Sequence, residues 1–247
     1  MKKASIFTLQ HDEDFFLPIW IKYYRQHFNP EDMYILAHNP TELSEKILKE
    51  SESIGINVER LYTYEIFDHD WLNDTVHSTR IKLLKDYEYV IYTDCDEIIF
   101  PVGKSLKEFM DEAHEDAYRC FGFNVIENNI ARENRMDKTL ISKIPLIYGY
   151  GYHDSIPSFP ISENLNLYHL HKLNYEKAWQ RSLRLAAEKW NHLSLSTDMA
   201  QQNRIIDENK FKTFFYEENN ELMPIPDDFK KILELIYNDN PINSTSS

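Results

Sequence analysis

The chain has 247 residues, which is enough to bury the core of one large α/β domain. Its 41 acidic residues outnumber its 27 basic ones and give a net charge of −14, so we expect no nucleic-acid partner, since such a partner favours a basic face. Glycine is scarce, at 5 residues, and the sequence contains neither the glycine-rich dinucleotide fingerprint nor the P-loop.

The N-terminal segment MKKASIFTLQHDED has a basic start but a short apolar run, which predicts neither a signal peptide nor a membrane span. We therefore expect a cytoplasmic protein, in which peripheral membrane association would need a local basic patch. The two cysteines, Cys95 and Cys120, are too few and too far apart for a zinc site or a disulfide scaffold.

In chain order, the first half alternates segments of strand and helix character. Strands are predicted at residues 4–9, 33–37, 57–62 and 89–93, and helices at residues 15–28, 42–53 and 70–85. Gly55 follows the second helix as its cap. This rhythm predicts a parallel sheet with right-handed connections, and we expect this half to hold a nucleotide.

The segment YVIYTDCDEIIF, at residues 89–100, joins a strand of buried character to three acidic residues, Asp94, Asp96 and Glu97, with Cys95 after the first of them. If the chain stays extended, Asp94 and Asp96 share one face at roughly 6–7 Å, with the Cys95 thiol in the core on the other face. One divalent cation fits between such carboxylates, and hard oxygen ligands select Mg²⁺ or Mn²⁺. The alternative is a solvated acidic turn. In the metal-site interpretation, Glu97 would orient the metal shell or a loop backbone.

The sequence DCDEII resembles the D-x-D-E-[FI] form of the Asp-x-Asp motif in a family 2-like branch of the GT-A glycosyltransferases, which use nucleotide sugars. The resemblance implies a GT-A-type, Rossmann-like fold, with a mostly parallel central sheet flanked by helices. It also implies that Asp96 holds Mn²⁺ or Mg²⁺, with Asp94 on the metal through a water molecule or on the ribose.

The segment TLQHDEDFFLPIWIKYYRQHF is similar to the opening of the same branch, with Asp-Glu where that pattern has Asn-Glu. The resemblance implies that its loop holds the nucleotide base and ribose, through Thr8, Gln10, Asp12 and Glu13. It also places a base- or phosphate-contacting residue on the helix before the motif strand, which here is Arg80, with His77 one turn away. The alternatives are a solvated loop and a surface arginine.

The second half begins with a predicted helix at residues 105–114, where Ser105 and Glu108 form a capping box, and a strand at 117–126 that ends at Glu127. A further strand at 140–150 runs into an aromatic turn at 148–154. The turn combines tyrosine rings, a histidine and Asp154, a mixture that suits a sugar pocket or a hairpin packed on the sheet. We expect Asp154, or else Glu127, to take the proton of an acceptor hydroxyl.

Residues 165–171 alternate, so His169 and His171 lie on the leucine side of a strand, while Lys172 falls on the other side. They are core histidines or ligands. The segment is similar to the family's histidine-containing strand end, followed by a turn with Lys and Ser, where Asn174 replaces the Ser. The resemblance implies that His169, or second His171, completes the metal shell and that Lys172 neutralises a diphosphate.

Helices are predicted at residues 175–192, 196–209 and 227–237, followed by a frayed tail at 241–247. We therefore expect a GT-A domain at residues 1–193, with a nucleotide-binding half at 1–101 and an acceptor half at 102–193. Residues 194–247 are predicted to be a helical extension of the same domain.

The resemblance implies a metal-dependent hexosyltransferase of inverting type. Its donor would be a nucleotide-diphosphate sugar, a UDP-sugar in the first place. Its acceptor would be a glycan or lipid-linked hydroxyl, as in surface polysaccharide or glycoconjugate synthesis. Two alternatives stay open. A nucleotidyltransferase has related architecture but usually carries an N-terminal glycine-rich loop, which is absent here. A non-catalytic nucleotide-sugar-binding module would use the acids as a structural turn.

Overall fold

The computed structural model describes residues 1–196, 201–216 and 221–238. The tail predicted at 241–247 lies outside these residues, as do residues 197–200 of the helix predicted at 196–209. Within the described residues, no helix is both long enough and apolar enough to cross a bilayer.

The first half alternates strands and helices, and its strands are parallel. In chain order the elements are β1 (Lys2–Gln10), α1 (Phe16–Tyr24), β2 (Met33–His38), α2 (Glu42–Ser53), β3 (Asn57–Leu61), α3 (His69–Leu83) and β4 (Tyr87–Tyr92). Strand β1 lies between β2 and β4, and β3 pairs with the far side of β2. Both faces of the sheet are covered here, which is why residues 5–10 of β1 are buried without alternation, the polar Ser5, Thr8 and Gln10 included.

The second half contributes shorter and mostly antiparallel pairs. Its elements are β5 (Glu97–Pro101), α4 (Leu106–Glu112), β6 (Ala117–Ile126), β7 (Asn129–Arg132), β8 (Thr139–Ser142), β9 (Ile147–Tyr148), β10 (Ser155–Ile156), β11 (Ile161–Lys172), α5 (Tyr175–Ala187), α6 (His192–Ser196), α7 (Glu208–Tyr216), β12 (Leu222–Pro224) and α8 (Asp227–Asn238). Strand β8 pairs with β4 and β6, and β11 pairs with β5 and β6. Among the described residues, ten of the strands thus form one sheet, and β9 and β10 pair with each other in a separate two-stranded sheet.

The predicted α/β class, with a mostly parallel central sheet flanked by helices, is confirmed. Four predicted elements differ most, and the first is the helix at 175–192, which ends at Ala187. The strand at 140–150 is broken into β8 and β9, because Pro145 lies between them and has no N–H to donate. The helix at 15–28 ends at Tyr24, where the N–H groups of Gln26 and His27 turn to the carbonyls three residues back. The helix at 196–209 is replaced by α6, a 3-10 turn at Gln201–Arg204, and α7.

The motif segment does not stay extended, as the carboxylate spacing assumed. The N–H of Glu97 donates to the carbonyl of Asp94 at 3.1 Å, which closes a tight turn between β4 and β5. Two side chains of helix α1 hold this turn in place by hydrogen bonds. The Trp20 indole donates to Thr93 Oγ1 at 2.8 Å, and the Tyr24 hydroxyl donates to the Glu97 carbonyl at 3.1 Å.

Candidate functional site

A cavity of about 1100 Å³ opens where the parallel strands β1, β2 and β4 end. Ligands of open α/β sheets bind at this edge, because the loops that follow the strands diverge there. Seven of the residues predicted to contact the nucleotide or the metal line the cavity: Gln10, Glu13, Asp94, Asp96, His169, His171 and Lys172. The cavity therefore joins the motif turn to the end of β11.

Asp96, His169 and His171 form a cluster with metal-ligand geometry. One carboxylate oxygen and one nitrogen from each ring lie within 4.8 Å of one another. Asp96 Oδ2 is 3.5 Å from His169 Nε2 and 3.7 Å from His171 Nδ1. The backbone explains the arrangement, since β11 pairs with β5 and the N–H of Leu170, between the two histidines, donates to the Asp96 carbonyl at 2.6 Å.

A neighbouring side chain orients His169. Its Nδ1 lies 3.0 Å from Asn124 Oδ1, and because that oxygen only accepts, Nδ1 carries the proton. Nε2 then points at Asp96 with its lone pair, unless a second proton or a cation lies between them. A partner that fixes the tautomer in this way is typical of metal-binding histidines.

Arg181, on α5, is the cation in contact with this cluster. Its Nη1 donates to His171 Nδ1 at 2.8 Å and lies 3.5 Å from Asp96 Oδ2. Its Nε and Nη2 donate to Glu13 Oε1 at 2.7 and 2.6 Å. Burial would raise the pKa of Asp96, but the charge of Arg181, together with that of His169 when its ring carries the second proton, holds that pKa well below its usual range. Burial does raise the pKa of Glu13, against the opposing charge of Arg181.

Asp94 lies outside the cluster, so the structure does not group it with Asp96 as a direct ligand, and its contact with the cation through a water molecule or with the ribose stays a prediction. The turn separates the two carboxylates. Asp94 Oδ1 accepts from the Tyr92 hydroxyl at 2.7 Å, and Oδ2 lies 3.3 Å from Lys138 Nζ. The same ammonium contacts Glu97, whose other oxygen accepts from the Asp94 N–H at 3.0 Å. Glu97 thus orients a loop backbone, the second of its two predicted roles.

The four predicted contacts of the first loop fall into two groups, of which one lines the cavity and the other makes contacts within the fold. Gln10 and Glu13 line the cavity, but Thr8 and Asp12 do not. Thr8 is buried against Cys95 Sγ at 3.3 Å. Asp12 accepts from the Thr41 N–H, the Thr41 hydroxyl and the Ser44 hydroxyl at 2.9, 2.6 and 2.7 Å, so its carboxylate serves the N-terminus of α2. Nucleotide contacts through these two side chains are therefore unsupported.

Neither Arg80 nor His77 lines the cavity, so the nucleotide contacts predicted for them have no support in its lining and stay predictions. Arg80 is 0% exposed inside the sheet region, where it donates to two backbone carbonyls and two hydroxyls, those of Val90, Leu140, Ser142 and Tyr148. His77 Nδ1 lies 2.9 Å from the Leu146 carbonyl, which only accepts, so the ring donates there. Both side chains attach α3 to β4, β8, β9 and the segment between β8 and β9.

Neither carboxylate predicted as the proton acceptor, Asp154 or Glu127, reaches the cavity. Both are exposed, and Glu127 Oε1 accepts from the Tyr216 hydroxyl at 3.2 Å. The aromatic turn does line the cavity, through Tyr150, Gly151, Tyr152 and His153. Another carboxylate, Glu133, lines it as well, and sequence reasoning missed this residue because no motif surrounds it.

Lys172 lines the same cavity as His171, although strict alternation put the two on opposite faces. The register of β11 against β6 shifts between His169 and Lys172, and such an irregularity re-aims the side chains that follow it. The Lys172 ammonium lies 4.7 Å from the ring centre of Phe214.

No protein-family model and no curated protein matches this chain. Among solved structures, it is similar to a putative glucose-1-phosphate thymidylyltransferase from Bacillus anthracis in complex with a sucrose, at 9% identity over 96% of both chains and a TM-score of 0.36. It is similar to a cytidylyltransferase from Leptospira borgpetersenii at 10% identity over 39% of this chain and 42% of that one, with a TM-score of 0.28. An active-site mutant of LgtC matches at 13% identity over 73% and 62%, with a TM-score of 0.31. Similarity this low assigns neither family nor reaction.

Proposed function

We propose that this protein is a divalent-metal-dependent glycosyltransferase that moves a sugar from a nucleotide-diphosphate sugar to an acceptor hydroxyl. The observation that carries the proposal is the Asp96–His169–His171 cluster, which lies in a large cavity at the carboxyl ends of parallel strands and takes its carboxylate from the Asp-x-Asp-Glu segment. That combination supports a nucleotide-sugar site better than a structural acidic turn, which would have no reason to converge with two histidines.

The donor set suits a divalent transition-metal ion. Two imidazole nitrogens and one carboxylate oxygen favour Mn²⁺ over Mg²⁺, which prefers oxygen ligands alone. A bound divalent cation would neutralise the negative charge that builds on the leaving diphosphate when the anomeric bond breaks. Lys172, buried at the same edge, would add a positive charge for that diphosphate. Gln10 and Glu13 would meet the nucleoside.

An acceptor hydroxyl must lose a proton, and Glu133 is our candidate to take it. Four carboxylates line the cavity among the described residues: Glu13, Asp94, Asp96 and Glu133. The first three are held by buried cationic or imidazole groups. Glu133 pairs with Arg135, whose side chain is largely exposed. Burial would raise the pKa of Glu133, but the hydrogen bonds from Arg135 lower it overall, so the carboxylate is ionised at neutral pH, and release of Arg135 would strengthen it as a base.

The test separates glycosyl transfer from nucleotidyl transfer by their products. The full chain is incubated with Mn²⁺ and a panel of nucleotide sugars, and separately with nucleoside triphosphates plus sugar 1-phosphates. We expect free nucleoside diphosphate from the first panel, by hydrolysis or transfer, and none from Asp96→Asn. Pyrophosphate from the second panel alone would assign the nucleotidyltransferase alternative. Mn²⁺-dependent binding with no turnover in either panel would assign the binding module.

A further inference from the structure

The guanidinium of Arg181 lies next to the candidate metal ligands, where the buried carboxylate of Asp96 needs a positive charge. Its Nη1 touches two of the three ligand residues, at 2.8 Å from His171 Nδ1 and 3.5 Å from Asp96 Oδ2. Its other two nitrogens are anchored to Glu13 Oε1. One guanidinium therefore spans the first loop and the metal cluster.

The hydrogen bond from Arg181 to His171 excludes a metal ion from the same nitrogen. An arginine N–H only donates, so His171 Nδ1 accepts with its lone pair and the ring carries its proton on Nε2. Nε2 is buried and has no hydrogen-bond partner among the described residues. Nδ1 is also the nitrogen of this ring that faces Asp96 Oδ2, at 3.7 Å. A metal ion bound there needs the lone pair that Arg181 now uses, so the two cations cannot hold His171 Nδ1 together.

The charges lead to the same conclusion. Asp96 is buried at 5% exposure, and a buried carboxylate requires compensation. Arg181 supplies a positive charge when no metal ion is bound. The same charge repels an incoming divalent cation at a distance of a few ångströms, where the interaction is screened by protein rather than by bulk water.

We propose that Arg181 is a built-in competitor of the divalent cation, which leaves Asp96 and His171 when the cation binds and stays attached to Glu13. The proposal rests on the metal site of the proposed function. As a consequence, Arg181 stabilises the metal-free site and lowers its affinity for the metal ion. Metal entry also releases one donor group of Arg181 toward the cavity, beside the loop that carries Glu13 and Gln10.

The test is Mn²⁺ affinity in the absence of nucleotide, measured on the full chain by the loss of the free-ion EPR signal. Arg181→Gln should bind Mn²⁺ at least about tenfold more tightly than the wild type, because a repelling charge and a competing donor are gone. Arg184→Gln is the matched control, since Arg184 lies on the same helix and pairs with Asp14 of the same loop at 3.2 Å, without contact to the cluster. Its Mn²⁺ affinity should equal that of the wild type.

If Arg181→Gln fails to fold, Glu13→Gln with Arg181→Gln replaces it, because this pair removes the buried acid together with its partner. Unchanged or weaker Mn²⁺ binding by the folded variant, at a site that Asp96→Asn abolishes, would overturn the proposal and leave the metal site standing. No Mn²⁺ binding by any variant would overturn both. An equal gain in the Arg184→Gln control would also overturn it, because net charge would then explain the effect.

Discussion

The ammonium of Lys138 lies 2.5 Å from Glu97 Oε1, and both side chains are buried, at 3% and 0% exposure. Burial opposes a charged lysine, but the carboxylates of Glu97 and Asp94 raise the pKa of Lys138 above its usual range. The lysine therefore stays charged. Because Glu97 also accepts from the Asp94 N–H, this ion pair sets the shape of the turn that presents Asp96.

We expect that removing one partner of this ion pair lowers stability strongly and that removing the other partner as well restores part of it. Lys138→Met should lower the free energy of unfolding by about 3–5 kcal/mol, because it leaves Glu97 buried without a cation. Adding Glu97→Gln to that variant should recover part of the loss, since the unpaired charge is then removed. Urea denaturation of the two variants and the wild type measures both effects. A loss under about 1 kcal/mol for Lys138→Met would mean that water or another group compensates Glu97.

Arg80 is expected to matter for stability and not for nucleotide binding. Arg80→Met would leave two backbone carbonyls and two hydroxyls without their donor, which should lower the free energy of unfolding by about 3 kcal/mol or more. The folded variant should bind nucleotide with wild-type affinity by calorimetry. Lys82→Met, an exposed position on the same helix, is the control. Weakened nucleotide binding with unchanged stability would restore the role that the resemblance implied.

Much of the fold could be predicted because its signals are local. Strand–helix alternation, the Ser105 capping box and the paired histidines of β11 all depend on residues within a few positions of one another. The site could be predicted only in part, because its compensating charges come from far along the chain. Lys138 is 41 positions from Glu97, and Arg181 is 168 positions from Glu13. The three acids of the motif did imply that some cation compensates them, but no local pattern identifies which one.

His27 should make stability depend on pH below neutrality. Burial lowers the pKa of His27 to about 4, and both ring nitrogens are buried without hydrogen-bond partners among the described residues. The unfolded chain takes up a proton near the ordinary value of 6.5, while the folded chain resists it. The free energy of unfolding should therefore be flat in this respect well above pH 6.5 and fall by about 3 kcal/mol as the pH drops to about 4.

The substitution that tests this is His27→Phe, which keeps a ring against Tyr23, now 4.9 Å away between ring centres. Urea denaturation at several pH values between 4 and 7 should give a shallower decline for the variant than for the wild type. Buried histidines elsewhere, such as His38, will still contribute to the remaining slope. Parallel curves for the two proteins would show that His27 is protonated equally in the folded and unfolded chains.

Two carboxylates can be compared as proton acceptors. Glu133→Gln should abolish transfer while nucleotide-sugar binding stays close to the wild type, because a general base acts on the acceptor and not on the donor. Asp154→Asn should retain activity, since Asp154 is exposed and outside the cavity. Turnover and calorimetric donor affinity are measured on both. Loss of transfer in Asp154→Asn alone would reinstate the residue that the sequence favoured.

The two acids of the Asp-x-Asp segment should differ sharply in metal binding. Asp96→Asn removes the carboxylate shared with His169 and His171, so Mn²⁺ affinity should fall below detection. Asp94 is 34% exposed and is held by Tyr92 and Lys138, so Asp94→Asn should change Mn²⁺ affinity by no more than about threefold. The measurement is Mn²⁺ titration by EPR without nucleotide, with melting temperatures to verify folding. Equal losses in the two variants would place both carboxylates on the cation, as the extended geometry required, and would mean that the Glu97–Asp94 turn opens when the metal binds.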